Sequence, residues 1–169
     1  MKKISFLPFA LLVGMIACNS SGDKTASSDT SSTAATDTSM HHMDTTASIP
    51  PLPEVPAGAR VFFKNLKNGE KVKSPLKIEF GVEGIALDTA GPIKAGSGHH
   101  HLLVDAGDSI PMGTVIQKDS AHLHYGKAQS MAEIKLTPGE HTLTLQYADG
   151  AHRSYGARLA ATVKVTVTK

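Results

Sequence analysis

At residues 76–82 the chain reads Leu-Lys-Ile-Glu-Phe-Gly-Val, with apolar side chains at every second position. Residues 142–147 and 162–167 alternate in the same way. A period of two is typical of a β-strand that buries one face and exposes the other. Shorter strand-like runs, separated by turn signals such as Asn-Gly, Pro-Gly and Asp-Gly, lie at residues 61–64, 101–105, 115–117 and 132–136.

These runs predict an all-β domain over residues 57–169. About seven short strands in a domain of this length fit an antiparallel, immunoglobulin-like β-sandwich. We predict two further segments ahead of it, a signal peptide at residues 1–17 and a disordered tether at residues 18–56.

The first eighteen residues have the pattern of a secretory signal. Lys2 and Lys3 precede an apolar run at residues 6–16, which is too short to cross a membrane. The order Met15-Ile16-Ala17-Cys18 resembles a bacterial lipoprotein box, which implies that lipid is attached to Cys18. The polar residues after Cys18 resemble the outer-membrane version of the sorting signal. We therefore expect a lipid-anchored protein of the bacterial envelope, held at the outer membrane and facing the periplasm.

The predicted tether is rich in Ser, Thr, Ala and Asp up to residue 48 and rich in proline at residues 49–56. The first part lacks the apolar side chains needed to offset chain ordering, and the second favours a stiff, extended spacer. A Met40-His41-His42-Met43 cluster lies within it. Thioether and imidazole ligands together favour Cu(I), so this cluster is either a flexible copper-capturing arm or an incidental feature of a polar tether.

Composition limits the possible chemistry. A net charge of +2 gives no basic surface for nucleic acid, and a single Cys excludes both a disulfide framework and a zinc site built from cysteines. The chain has nine His, so any metal site must depend on imidazole, carboxylate or thioether groups.

Four of the histidines form two His-x-His pairs, His99 with His101 and His122 with His124. Residues i and i+2 of a strand lie on one face about 6.6 Å apart, so both rings of a pair can turn toward one ion. Two pairs on neighbouring segments would supply nitrogens suited to copper or zinc, and His152 can complete such a site. The alternative is that these imidazoles form a structural hydrogen-bond network.

Three other residues have secondary candidate roles. His100 faces away from His99 and His101 on a regular strand, toward the core or as a supporting group. His141 shares a face with apolar residues and is expected to bond backbone at a strand corner. Asp149 is expected to act as a ligand or to orient an imidazole. The alternative is that His152, three residues later, is simply solvated.

The ordered histidine motifs resemble those of a family of bacterial periplasmic proteins that is known as a domain of unknown function. The matching motifs are Gly-His-His-His-Leu-Leu at residues 98–103, His-Leu-His-Tyr-Gly at 122–126 and Pro-Gly-Glu-His-Thr-Leu at 138–143. The resemblance implies an envelope location and makes these histidines, with His152, characteristic residues of the family. It implies no activity.

The sequence therefore favours a metal-binding envelope lipoprotein, with copper preferred over zinc, that binds or hands over the ion without turnover. Its expected partners are the membrane, through Cys18, and another envelope protein. The first alternative is a structural or interaction module of the envelope. A weaker alternative is a copper or zinc metalloenzyme, although no catalytic constellation is identifiable.

Overall fold

The computed structural model describes residues 49–169, so the predicted signal peptide, Cys18 and the Met40–Met43 cluster lie outside the described residues. Within residues 49–169 the chain forms nine strands and one turn of 3₁₀ helix, Ala157–Leu159. The strands are β1 (Arg60–Phe63), β2 (Glu70–Val72), β3 (Leu76–Glu83), β4 (Ala86–Leu87), β5 (Ser97–Val104), β6 (His122–Tyr125), β7 (Met131–Ile134), β8 (Gly139–Ala148) and β9 (Ala160–Val167). No helix in this part of the chain is long and apolar enough to cross a membrane.

The strands form two sheets that pack face to face, which confirms the predicted all-β sandwich. One sheet has the order β1-β3-β7. The other has the order β2-β9-β8-β5, with β4 and β6 both paired to the far edge of β5. The short β2–β9 and β4–β5 pairings are parallel, and the other strand pairings are antiparallel. The predicted strand at residues 115–117 forms only an isolated bridge, between Val115 and Arg153.

The core lies between the sheets and follows from the alternation in the sequence. In β3 the side chains of Leu76, Ile78 and Phe80 are buried, whereas those of Lys77 and Glu79 are exposed. The opposing sheet contributes the apolar face of β8 and β9: Leu143, Leu145, Tyr147, Val163, Val165 and Val167. Burial of these side chains is the main term that stabilises the sandwich.

Strand β5 is buried on both faces, unlike β3. One face looks into the core, and the other is covered by two long loops, residues 105–121 and 149–159. Side chains of β8 hold these loops down: Gln146 accepts a hydrogen bond from the Ile110 N–H at 2.9 Å and donates to the Gly156 carbonyl at 3.0 Å. Thr144 donates to the Gly107 carbonyl at 2.7 Å. This loop cover turns the outer face of the sheet into a second interior.

The proline-rich segment, residues 49–56, contacts the sandwich, although it was predicted as the end of a spacer. Leu52 and Val55 pack against the core cluster. The Arg153 Nη1 donates to the Pro50 carbonyl at 2.6 Å, and the Arg158 Nη2 donates to the Pro56 carbonyl at 3.0 Å. Because proline lacks an N–H, the carbonyls are the polar backbone groups that these prolines offer.

Candidate metal centre

The covered face of β5 carries His99 and His101, which the strand period directs to the same side. Both side chains are buried, with exposures of 0% and 1%. Their Nε2 atoms lie 3.0 Å apart. The antiparallel register of β6 sets His124 directly opposite His101, and the centroids of these two rings are 5.1 Å apart.

His152 reaches the same point from the tight loop that follows β8. Its backbone is in the left-handed region, with φ of 66°. The loop is held by the His152 N–H, which donates to the Asp149 carbonyl at 2.9 Å, and by the Ile116 N–H, which donates to the His152 carbonyl at 2.9 Å. The His152 Nδ1 then lies 3.2 Å from the His99 Nε2.

One ring nitrogen from each of His99, His101, His124 and His152 lies within 4.8 Å of the other three. Four nitrogens that bind one ion at 2.0 to 2.1 Å lie roughly 3.3 Å apart in a tetrahedral arrangement, and roughly 2.9 and 4.1 Å apart in a square one. The His99–His101 and His99–His152 separations, 3.0 and 3.2 Å, are close to the spacing of adjacent ligands in these arrangements. All four nitrogens lie within 4.8 Å of one another, so the four side chains could hold one metal ion.

Burial keeps the imidazoles of His99, His101 and His124 neutral. Loss of solvent is the largest cause that lowers the pKa of His99 to about 4 and the pKa of His101 to about 2, and the neighbouring imidazoles add to it. Burial also lowers the pKa of His124. At neutral pH no proton competes for these lone pairs, and the neutral ring is the form that binds metals.

The hydrogen bonding of the cluster is incomplete. The His99 Nε2 faces ring nitrogens of both His101 and His152, yet one ring nitrogen has only a single proton or a single lone pair to share with them. The His124 Nε2 is also buried without a partner among the described residues. Buried polar groups are normally paired, so a cation at the centre would satisfy lone pairs that protons do not.

His122 does not join this cluster, which corrects the expected convergence of both His-x-His pairs. It lies on β6 opposite Leu103, two residues before His124. Its Nδ1 donates to Asp119, with contacts of 2.9 and 3.0 Å to the two carboxylate oxygens. The sheet register brings one member of each pair to the same place, but the step of about 6.6 Å carries His122 past it.

His100 looks into the core, as strand alternation predicts. Its ring lies 5.2 Å from the centroid of Phe80 and 5.0 Å from that of Tyr147. Burial lowers its pKa to about 3, so the ring is neutral at physiological pH. It is a core side chain on the face opposite the cluster.

Asp149 contacts no imidazole of the cluster, contrary to both expected roles. Its carboxylate is fully buried and pairs with Arg153, whose Nε donates at 2.8 Å and Nη2 at 2.7 Å. The other oxygen accepts the backbone N–H groups of Ala151 at 3.0 Å and Arg153 at 2.8 Å. Asp149 therefore shapes the loop that presents His152, and it acts on the site through the backbone.

Sequence reasoning missed Arg153. This side chain hydrogen-bonds both Asp149 and the Pro50 carbonyl, and it is only 9% exposed. An arginine four residues after an aspartate in a turn is common on protein surfaces, so the sequence contains no signal that distinguishes this pair from a solvated one.

His141 has a structural role at the start of β8. Its Nε2 donates to the Thr137 carbonyl at 2.9 Å, and its Nδ1 donates to Asp105 at 2.7 Å. The bond to Asp105 is the largest cause that raises the pKa of His141. Burial of Asp105 alone raises its pKa, but bonds from the Thr142 N–H and from His141 outweigh burial and lower it.

Because of these opposite shifts, we expect the stability lost in His141→Gln to depend on pH. Because the pKa of His141 is raised in the folded state, its protonation stabilises the fold fully at pH values below 6.5, the pKa of the unfolded chain. This contribution disappears as the pH rises through the folded-state pKa. The lowered pKa of Asp105 stabilises the fold above 3.8, and this contribution disappears as pH falls. The variant should lose about 1 kcal/mol near pH 5.5 and less near pH 9, as measured by urea unfolding. Equal losses at both pH values would contradict a charged pair.

A sandwich whose covered sheet face and adjoining loop bring four imidazoles together defines a candidate metal-binding domain. The chain belongs to the family DUF4399, described as a domain of unknown function, whose pattern matches residues 78–168. The matched residues include all four members of the cluster. No curated protein matches the chain.

Proposed function

We propose that the domain binds one transition-metal ion through His99, His101, His124 and His152, and that it holds or passes on this ion without turnover. The observation that carries the proposal is the convergence of four ring nitrogens within 4.8 Å in a largely buried site. Two ligands on one strand and a third on its hydrogen-bonded neighbour are supported by the sheet itself, which limits the ordering needed on binding.

Copper is the proposed ion in preference to zinc. The donor set consists of imidazoles, and among divalent first-row metals a nitrogen site of given geometry binds Cu(II) most tightly. The nitrogen separations of 3.0 and 3.2 Å are compatible with adjacent ligands in either a square or a tetrahedral arrangement. Zinc therefore remains the competing ion in the test.

We also propose that the protein is a lipoprotein of the bacterial envelope, anchored through Cys18 at the outer membrane. The apolar run and Cys18 near the start of the chain support this proposal. The Met40–Met43 cluster would then offer Cu(I) a second, softer site on the tether, and another envelope protein would receive or supply the ion.

Metal uptake by the untagged protein tests the proposed function. The protein should retain about one Cu(II) per chain in competition with a chelator, and zinc should bind less tightly. Electron paramagnetic resonance should show coupling to several nitrogens. The double variant His41→Gln/His42→Gln removes the imidazoles of the tether and should leave this Cu(II) site intact. Loss of Cu(II) from that variant, or no uptake by the wild type, would overturn the proposal.

A further inference from the structure

The metal cluster opens on one side into a cavity of about 250 Å³. Three of the four imidazoles, those of His101, His124 and His152, line it, and residues 115–118 form its other wall. The fourth, His99, is fully buried behind them. A small ligand entering this cavity would therefore meet the open side of a bound ion.

A divalent ion in the cluster would lack a negative ligand from the protein. The imidazoles that surround it carry no negative charge. Asp149, whose charge reaches His99, is already neutralised by Arg153 at 2.7 Å. Asp119 is hydrogen-bonded to His122. A buried double positive charge without a counter-charge is costly, which favours recruitment of an anion from solution.

Lys118 supplies a second positive group at the same cavity. Its side chain is exposed and lines the cavity with His101, His124 and His152. None of the ion pairs among residues 49–169 involves Lys118. Its ammonium is therefore available to an incoming anion.

We infer that this cavity takes a small anion that binds the metal ion through one atom and the Lys118 ammonium through another. The inference rests on the proposed metal site and adds the ligand class to it: a compact, singly charged anion such as azide or a short carboxylate. The apolar side chains of Val115 and Ile116 line the same wall and favour a small ligand over a heavily hydrated one.

Azide titration of the copper-loaded full-length protein tests this inference, with copper content measured before azide is added. We expect a saturable ligand-to-metal absorption band with one azide per copper and a shifted electron paramagnetic resonance spectrum. Lys118→Gln should weaken azide binding about tenfold, because an ammonium bonded to an anion is lost. Lys118→Arg should retain most of the affinity.

Lys77→Gln is the matched control, because Lys77 is an exposed lysine on β3 in the other sheet. It should bind azide as the wild type does. An unchanged spectrum in copper-loaded protein would overturn the anion site while leaving the proposed function intact. Equal azide affinity in the wild type and Lys118→Gln would overturn the role of the lysine and with it the two-point site. Protein that takes up no copper would overturn both proposals, and the copper measurement identifies that outcome.

Discussion

Replacing His99 with glutamine should lower the affinity for Cu(II) at least about 100-fold. Loss of groups that merely support a ligand typically costs 10- to 100-fold in metal affinity, so loss of a ligand itself should cost at least the upper value. His99 is the natural choice because its Nε2 lies close to both the His101 and His152 nitrogens, at 3.0 and 3.2 Å. A chelator competition titration measures the effect directly.

His122→Gln is the matched control for this variant. It removes an imidazole from the same sheet face but from a side chain that bonds Asp119 outside the cluster. Copper affinity should therefore remain at the wild-type value. His124→Gln, two residues away on the same strand, should instead resemble His99→Gln.

The same variants separate a metal site from a purely structural network. Excess copper at about 1,000 times its dissociation constant should stabilise the wild type by at most about 4 kcal/mol, because the four-imidazole site exists only in the folded state and any copper held by the histidines of the unfolded chain reduces the gain. This gain should fall to about 1.4 kcal/mol or less in His99→Gln, whose affinity is at least about 100-fold weaker, and persist in full in His122→Gln in thermal unfolding. If His99→Gln unfolds at a lower temperature without metal yet keeps its copper affinity, the histidines are structural and the proposed function is wrong.

Asp149→Asn should cause the largest loss of stability among single changes near the site, about 3 to 5 kcal/mol. Breaking a buried ion pair leaves its partner charge uncompensated, and Arg153 is only 9% exposed. The asparagine also replaces one of the two carboxylate oxygens with an NH₂ group, so it cannot accept both the Arg153 side-chain bonds and the two backbone N–H bonds. We expect the melting temperature to fall by roughly 10 °C or more.

Asp149→Asn should also weaken copper binding about tenfold or more, because the loop that presents His152 loses its internal bonds. Asp119→Asn provides the comparison, since that carboxylate belongs to an exposed pair with His122. Its melting temperature and copper affinity should stay near those of the wild type. Similar losses in both variants would contradict a special role for the buried pair. The double variant Asp149→Asn/Arg153→Met should recover part of the stability, because it removes the unpaired charge.

The fold was predictable where one strand face is buried and the other exposed. Strands β3 and β9 follow the alternation of their side chains, and their buried faces are those that the sequence indicates. In β8 the polar and apolar residues alternate as predicted, but both faces are buried from Leu143 to Ala148. The short strands β2 and β4 were not predicted, because three or two residues give no period to detect. The first and last residues of β5 were also hard to predict. Loops bury its outer face, so the strand lacks the regular exposed polar positions that mark a one-sided strand.

The candidate site was predictable only in part, for a related reason. The spacing of His99 and His101 predicts that both side chains lie on one face of their strand, because the alternation of faces is a local property of a strand. Whether His122 or His124 joins them depends on the register between β5 and β6, which local sequence does not determine. His152 and Arg153 depend on how a distant loop folds over the sheet, so their positions required the tertiary structure.

The division of the cluster between sheet and loop has a consequence for ion exchange. His99, His101 and His124 belong to paired strands, whereas His152 sits on a loop with a left-handed backbone. Loops open more readily than the central strands of a sheet, so the first bond to break on release should be the one to His152. The lifetime of the complex would then be set by the opening rate of that loop, while the three strand ligands keep their places for the next ion.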